Sequence, residues 1–240
     1  MLLPIVLLSL AALLQQSLGQ GKSPIVNDVP LEKQKEILHT MNNIRKQVDP
    51  TATNMLKMKW NKKAAANAKK YAAKCQFRSS PIEERKVDGI ACGETLSQSV
   101  TANGWPVVIA SWASTKSSFM YGVGPTDPKK SIYSYTQLIW YKSHEVGCAL
   151  AYCPENTFSF FYLCHYCPGG NIQDTIATPY KKGSTCGDCP ANCEDKLCTN
   201  PCKYADLYSE CDNMKQSFTC NLKIMHEYCK ASCKCSTEII

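Results

Sequence analysis

Ten of the sixteen cysteines fall within fifty residues, from Cys186 to Cys235, and that crowding constrains everything else in the chain. A segment so rich in cysteine and so poor in apolar mass cannot rest on a hydrophobic core and has to be stapled. Sixteen thiols would also be a liability in a reducing cytosol, so the count asks whether the chain leaves the cell. Residues 1–14 are almost wholly apolar, and Ser17-Leu18-Gly19 then puts small residues at the −3 and −1 positions of a signal-peptidase site. We read a signal peptide over residues 1–19 and a secreted product from Gln20. Every cysteine lies beyond that cut and their number is even, so the expectation is eight disulfides with no free thiol. No later stretch reaches the roughly 18 uninterrupted apolar residues that a membrane helix needs.

The compartment bears on one motif. Cys164-His-Tyr-Cys167 and Cys186-Gly-Asp-Cys189 form two C-x2-C pairs eighteen residues apart, a spacing that suits a zinc ribbon. In an oxidising compartment the expectation is disulfides instead.

Cysteine density divides the mature chain. Residues 20–185 carry six cysteines and apolar residues enough for a core. Between the two parts lies a polar joint, Thr178-Pro-Tyr-Lys-Lys-Gly-Ser184. In the first part Ile37, Met41, Ile44 and Val48 recur at helical spacing, with Pro50 as a stop. Asn61 can cap a second helix, in which Ala64, Ala68, Tyr71, Ala72 and Cys75 share one face. Lys62, Lys63, Lys69, Lys70 and Lys74 fall on the opposite arc of that helix. A third helix begins near Pro106 and buries Val108, Ile109, Trp112 and Phe119. Strands are expected over residues 136–141, 146–152 and 158–166, with a turn at Pro154-Glu-Asn156. Helices first and antiparallel strands last indicate an α+β fold, an α-β-α sandwich.

The chain resembles the cysteine-rich secretory proteins of the CAP superfamily. The motifs that carry the resemblance are Asn54-Met-Leu-Lys-Met-Lys-Trp60, Ala64-Ala-Ala-Asn-Ala68, Cys92-Gly-Glu94 and Tyr135-Thr-Gln-Leu-Ile-Trp140. Others are Cys164-His-Tyr-Cys-Pro-Gly-Gly-Asn171, Cys186-Gly-Asp-Cys-Pro190 and Leu197-Cys-Thr-Asn-Pro-Cys202. Ala177-Thr-Pro-Tyr180 and the Ile239-Ile240 ending look most like the reptile venom members. The resemblance implies a CAP domain over residues 20–180, a disulfide hinge over 181–201 and a small helical, ShK-like cysteine-rich domain over 202–240. Spacing alone leaves roughly two million cysteine pairings open. The resemblance implies Cys75–Cys153, Cys92–Cys167 and Cys148–Cys164 in the sandwich, and Cys186–Cys193 and Cys189–Cys198 in the hinge. In the cap it implies Cys202–Cys235, Cys211–Cys229 and Cys220–Cys233.

CAP domains carry a cleft with two histidines and two acids that can bind a divalent metal. Of that set the chain keeps only Glu94, expected in the loop after Cys92; Ser79, Ser134 and Thr115 stand at the other positions. A serine hydroxyl is no substitute for an imidazole as a zinc ligand. The expectation is therefore no catalytic residue, no metal and no cofactor. His39, His144, His165 and His226 rebuild no site, and a Cys–His nucleophile would need a thiol that is not spare.

Two surfaces remain as candidates. Lys57 to Arg78 holds eight basic residues and no acid. It reads either as a solvated helix face or as a patch, centred on Lys62, Lys63, Lys69, Lys70 and Lys74, for sulfated glycans or an anionic membrane surface. Nucleic acid is not expected as a partner of a secreted protein. The second surface is the cap, with Tyr204, Tyr208, Lys215, Phe218, Lys223, Met225 and Tyr228 as candidate contacts and Phe218 and Tyr228 expected to cover its disulfides. The net charge of +7 lies in residues 20–180; residues 202–240 carry five lysines against five acids. The resemblance to reptile venom members implies a monomeric, non-enzymatic toxin that binds the extracellular face of a membrane cation channel. Its expected targets include voltage-gated calcium channels and smooth-muscle contraction. A reproductive or innate-immunity adhesion protein is the alternative reading, and a metal-dependent hydrolase the third.

Overall fold

A computed structural model of the chain describes residues 23–240 except residue 209. The expected signal peptide over 1–19 lies outside the described residues. A five-stranded sheet forms the middle layer. Its strands are β1 (Ile25–Asn27), β2 (Lys59–Trp60), β3 (Gly93–Ser99), β4 (Glu145–Tyr152) and β5 (Phe160–Cys167). The order is β1-β4-β5-β3, antiparallel throughout, with β2 added parallel to β4.

The two long strands alternate, as their pleat requires. Val146, Cys148, Tyr162, Cys164 and Tyr166 face a core built with α1 (Leu31–Lys46), α3 (Trp105–Ala113) and α4 (Tyr133–Leu138). Ala149, Ala151, Phe161 and Leu163 face the other side, where α2 (Lys62–Ala72) supplies Ala68, Tyr71 and Ala72. The result is an α-β-α sandwich. Helix α2 starts where Asn61 accepts a hydrogen bond from the Ala64 amide at 2.9 Å. It crosses β4 so closely that a Cβ on Gly147 would lie 2.0 Å from the Ala65 nitrogen, so only glycine fits there.

Two expectations are corrected. Residues 136–141 were expected as a strand, but α4 occupies Tyr133–Leu138 and a turn follows. All six residues from Tyr135 to Trp140 are buried, so the period-two alternation of a half-buried strand is absent. Glu94, expected in a loop, lies in β3, directly opposite His165 of β5. Phe119 lies beyond α3 and packs edge-on against Tyr135 at 5.7 Å between ring centroids.

The curl after α4 has a physical cause in Arg45, a residue that the periodicity of α1 conceals. Its side chain is fully buried, four residues on from Met41 and eight from Ile37. The guanidinium donates six hydrogen bonds of 2.7–3.1 Å to the carbonyls of Leu56, Leu138, Trp140, Tyr141 and Ser143. Burial lowers its pKa to about 9, which still leaves it charged at neutral pH.

The eight disulfides are Cys75–Cys153, Cys92–Cys167, Cys148–Cys164, Cys186–Cys193, Cys189–Cys198, Cys202–Cys235, Cys211–Cys229 and Cys220–Cys233. Cys164 and Cys167 thus pair within the sandwich and not with the hinge, so the zinc-ribbon spacing forms no ribbon. The hinge is seated on the sandwich. The Cys198 amide donates to Met55 O at 2.8 Å and its carbonyl accepts from the Lys57 amide at 2.8 Å. Leu56, Cys186, Cys189, Cys198 and Ile239 form one buried cluster, and Tyr180 of the expected polar joint is buried in the main core. The cap holds three short helices, α5 (Cys211–Ser217), α6 (Lys223–Tyr228) and α7 (Lys230–Lys234).

Replacing Arg45 by Met would strand buried carbonyls, each costing about 1–3 kcal/mol. We expect Arg45→Met to lower unfolding stability by more than about 3 kcal/mol in a denaturant titration, and Arg45→Lys to recover only part of the loss.

Candidate functional site

The cleft position marked by Glu94 is filled by a local network. Ser80 donates from its hydroxyl to Glu94 Oε2 at 2.5 Å and from its amide to Oε1 at 3.1 Å. His165 Nε2 lies 3.3 Å from the same carboxylate, and an Arg85 guanidinium nitrogen 4.0 Å from it. Ser80, Glu94 and His165 are all buried, at 3%, 5% and 0% side-chain or residue exposure. Burial alone would raise the Glu94 pKa; hydrogen bonds from His165 and Ser80 outweigh it and hold the carboxyl below its ordinary value.

Serine, histidine and glutamate within 3.5 Å of one another invite comparison with a nucleophilic triad, but the wiring differs. In a triad the base takes the serine proton on one ring nitrogen while the acid holds the other. Here serine and glutamate both sit at Nε2, and Nδ1 is buried without a partner. Ser80 already donates to the carboxylate. The group is an electrostatic lock that ties the loop after Cys75 to the sheet.

The other positions of the expected tetrad are likewise engaged or open. Ser79 is exposed, and its carbonyl accepts from Tyr71 Oη at 3.3 Å. Thr115 donates to Trp112 O at 3.1 Å and accepts from the Tyr135 amide at 3.0 Å, which ties the end of α3 to α4. Ser134 is half-buried. The three-residue metal-type cluster among the described residues is Cys186, Cys189 and Cys198, and all three sulfurs are in disulfides.

The lysine arc of α2 is less uniform than its sequence. Lys63 pairs with Asp88, Lys69 with Asp28 and Lys74 with Glu84. Among the described residues Lys62 and Lys70 have no ion pair within 4.0 Å. They flank, with Lys69, a cleft of about 820 Å³ between α2 and the β1 segment, floored by Val26, Trp60 and Ala65.

On the cap, the sequence candidates separate. Met225 is fully buried beside Cys211 and Cys229, so it packs the interior and contacts no partner. Phe218 and Tyr228, expected as cover, are 48% and 37% exposed, because three disulfides fill so small a centre that little side-chain volume is needed. The Lys215 ammonium folds back onto Ser232 O. Lys223 lies 3.9 Å from Glu227. Tyr204 is half-buried with Lys203 and Lys234 over its ring at 5.3 and 4.9 Å. The structure brings Tyr208 and Tyr228 together at 5.5 Å between centroids, beside Leu207, whose amide donates to Tyr228 O. Ile224 lies one helical turn before Tyr228, and Leu222 just outside α6 is also exposed. Leu207, Leu222 and Ile224 escaped the sequence reading because their exposure breaks the usual rule for apolar residues. Their signal was apolar residues in excess of what a stapled module can bury.

The profile described as the cysteine-rich secretory protein family matches residues 38–166, and the profile Crisp matches residues 186–240. The chain belongs to the cysteine-rich secretory protein family. Among solved structures, Na-ASP-1 superposes on this cysteine-rich secretory protein with a TM-score of 0.58 at 25% identity, covering 74% of this chain and 52% of Na-ASP-1. This chain thus spans about half of that protein. NaASP2 with Zn2+ superposes at 0.57 and 20% identity, covering 72% of this chain and 98% of NaASP2. Venom allergen-like protein 4 of Schistosoma mansoni superposes at 0.53 and 23% identity, covering 64% and 97%. The last two likenesses bear on the fold alone. Eight disulfides and family membership mark an extracellular, secreted protein. No helix among the described residues is long and apolar enough to cross a membrane.

The Glu94 lock sets a pH dependence. A carboxyl held below its ordinary value contributes stability that is complete above the unfolded-state pKa and is lost as pH falls through the lower folded one. Glu94→Gln should therefore be less stable at pH 7 by roughly 1–2 kcal/mol. In urea titrations the gap should close as pH falls below the ordinary glutamate value of about 4.3.

Proposed function

We propose that the protein is a secreted, non-enzymatic ligand of the extracellular face of a membrane cation channel, binding through its cap and reducing current. The reading rests on the exposed cluster of Tyr208, Tyr228, Leu207 and Ile224 on a module held by three disulfides. Exposed aromatic and aliphatic side chains on a rigid support are what an interface core uses, since little ordering entropy is left to lose. With Lys215 folded back and Lys223 near Glu227, a lysine plug has little support, which favours occlusion by shape. Voltage-gated calcium channels of smooth muscle are the first target to test, and a venom-type toxin is the biological role that matches the resemblance.

The test applies the oxidised mature protein to depolarised smooth muscle under calcium-current recording. Block at micromolar concentration or below is expected, with Tyr208→Ala/Tyr228→Ala weakened at least about tenfold. No effect there or on a panel of potassium, cyclic-nucleotide-gated and ryanodine-type channels would leave the adhesion reading standing.

A second surface is favoured by a separate observation, Lys62 and Lys70 beside the α2 cleft, which have no ion pair among the described residues. We propose that it holds sulfated glycans. Lys62→Gln/Lys70→Gln should elute from a heparin column at clearly lower salt, whereas Lys63→Gln/Lys74→Gln, whose charges are already paired, should shift elution less. Equal shifts from the two double variants would favour the solvated-face reading.

A further inference from the structure

All sixteen cysteines are among the described residues, and Cys193 alone is exposed; the rest are buried or half-buried. Its partner, Cys186, is buried at 5% exposure. The sulfurs of Cys186, Cys189 and Cys198 lie within 4.8 Å of one another, and Cys189 and Cys198 form the second hinge disulfide. The disulfide with an exposed residue at one end therefore has at its other end a buried residue whose sulfur lies close to a second disulfide.

We infer that the hinge is a thiol–disulfide exchange site, entered at Cys193 by a small extracellular thiol of the glutathione class and relayed inward through Cys186. An incoming thiolate attacks Cys193 Sγ. The Cys186–Cys193 bond breaks, a mixed disulfide forms on Cys193, and the electron pair leaves on Cys186 Sγ. The Cys186 thiolate then attacks Cys189 Sγ, forming Cys186–Cys189 and releasing Cys198 as the thiolate, which takes a proton from solvent. A second small thiol attacks the thiol sulfur of the mixed disulfide, giving the oxidised small-molecule disulfide and a free Cys193. Two small thiols are oxidised and one hinge disulfide is reduced.

Three observations direct the relay. Access decides which disulfide is attacked first, and access here belongs to Cys193. A sulfur held within 4.8 Å reacts at the high effective concentration of an intramolecular step. The Cys189 amide donates to Cys186 O at 2.9 Å, so a tight turn already holds these two residues together. Cys198 is anchored to the sandwich by its backbone bonds to Met55 and Lys57, and its sulfur lies 3.7 Å from Thr53 O. After the exchange the turn at Asp195 loses its covalent tie to Cys186 and is held by the short pairing of Cys193-Glu194 with Leu197-Cys198, by the Thr199 amide on Asn192 O at 2.9 Å, and by the surface ion pairs Lys46–Asp195 and Lys57–Glu194, which are worth little on their own.

The experiment is stepwise reduction of the native mature protein with rising glutathione, acid quench, alkylation and peptide mapping. The expected first product carries alkyl or glutathione label on Cys193, alkyl label on Cys198 and a Cys186–Cys189 bond. Label first in a sandwich or cap disulfide, label on any other hinge pair, or loss of all disulfides together overturns the inference. A second measurement needs no reductant. Purified Cys193→Ser leaves one free thiol, expected on Cys198 with Cys186 bonded to Cys189; a free thiol confined to Cys186 overturns the relay. Should that variant fail to fold oxidatively, the wild-type mapping decides alone.

Discussion

Arg45 is a buried positive charge with no ion-paired carboxylate among the described residues, and such a charge persists only if dipoles surround it. The chain supplies them from two places far apart in sequence, Leu56 and the run from Leu138 to Ser143. Turning those carbonyls inward curls the run out of any strand and sets α4 against the sheet. Gln137 is thereby placed where its amide donates to Ser143 Oγ and accepts from the Gly170 nitrogen. A Cβ on Gly93 would meet Gln137 Oε1 at 1.9 Å, so the start of β3 depends on the same arrangement. Leu56 extends the dependence outward, because its side chain packs under the hinge cysteines while its carbonyl serves Arg45.

The hinge therefore acts as a seat and not as a flexible spacer. Tyr141, whose carbonyl accepts from Arg45, also donates from its hydroxyl to Ile240 O at 2.8 Å. The C-terminus of the cap and the core of the sandwich are thus one bonded neighbourhood. A cap held this way presents its aromatic surface in a set direction relative to the sandwich, as occlusion of a pore vestibule by bulk would require. It also means that the covalent state of the hinge bears on how the cap is held.

Glu94, the one residue of the metal set implied by the resemblance that the chain carries, sits in a network of its own. Glu94 survives because Ser80, His165 and Arg85 give its charge other partners in the sheet. The lysines of α2 divide in a comparable way. Acids from distant segments neutralise three of the five candidates and leave two beside a cleft.

The sequence by itself determined the compartment, the α2 face and its cap at Asn61, the two central strands and the family to which the chain belongs. Each is written in local pattern: a cysteine count, a 3.6-residue or two-residue period, a motif at fixed spacing. Tertiary structure decided the rest, because those features depend on atoms brought from far away. Whether residues 136–141 run straight depended on a guanidinium some ninety residues earlier in the chain. Whether Lys63 is a free charge depended on Asp88, and whether Met225 is a contact or a core residue depended on how much volume three disulfides leave to fill. The crowded cysteines are the clearest case. Their number announced a stapled segment, but only the packed structure put one of the sixteen in solvent and set its partner against a second disulfide.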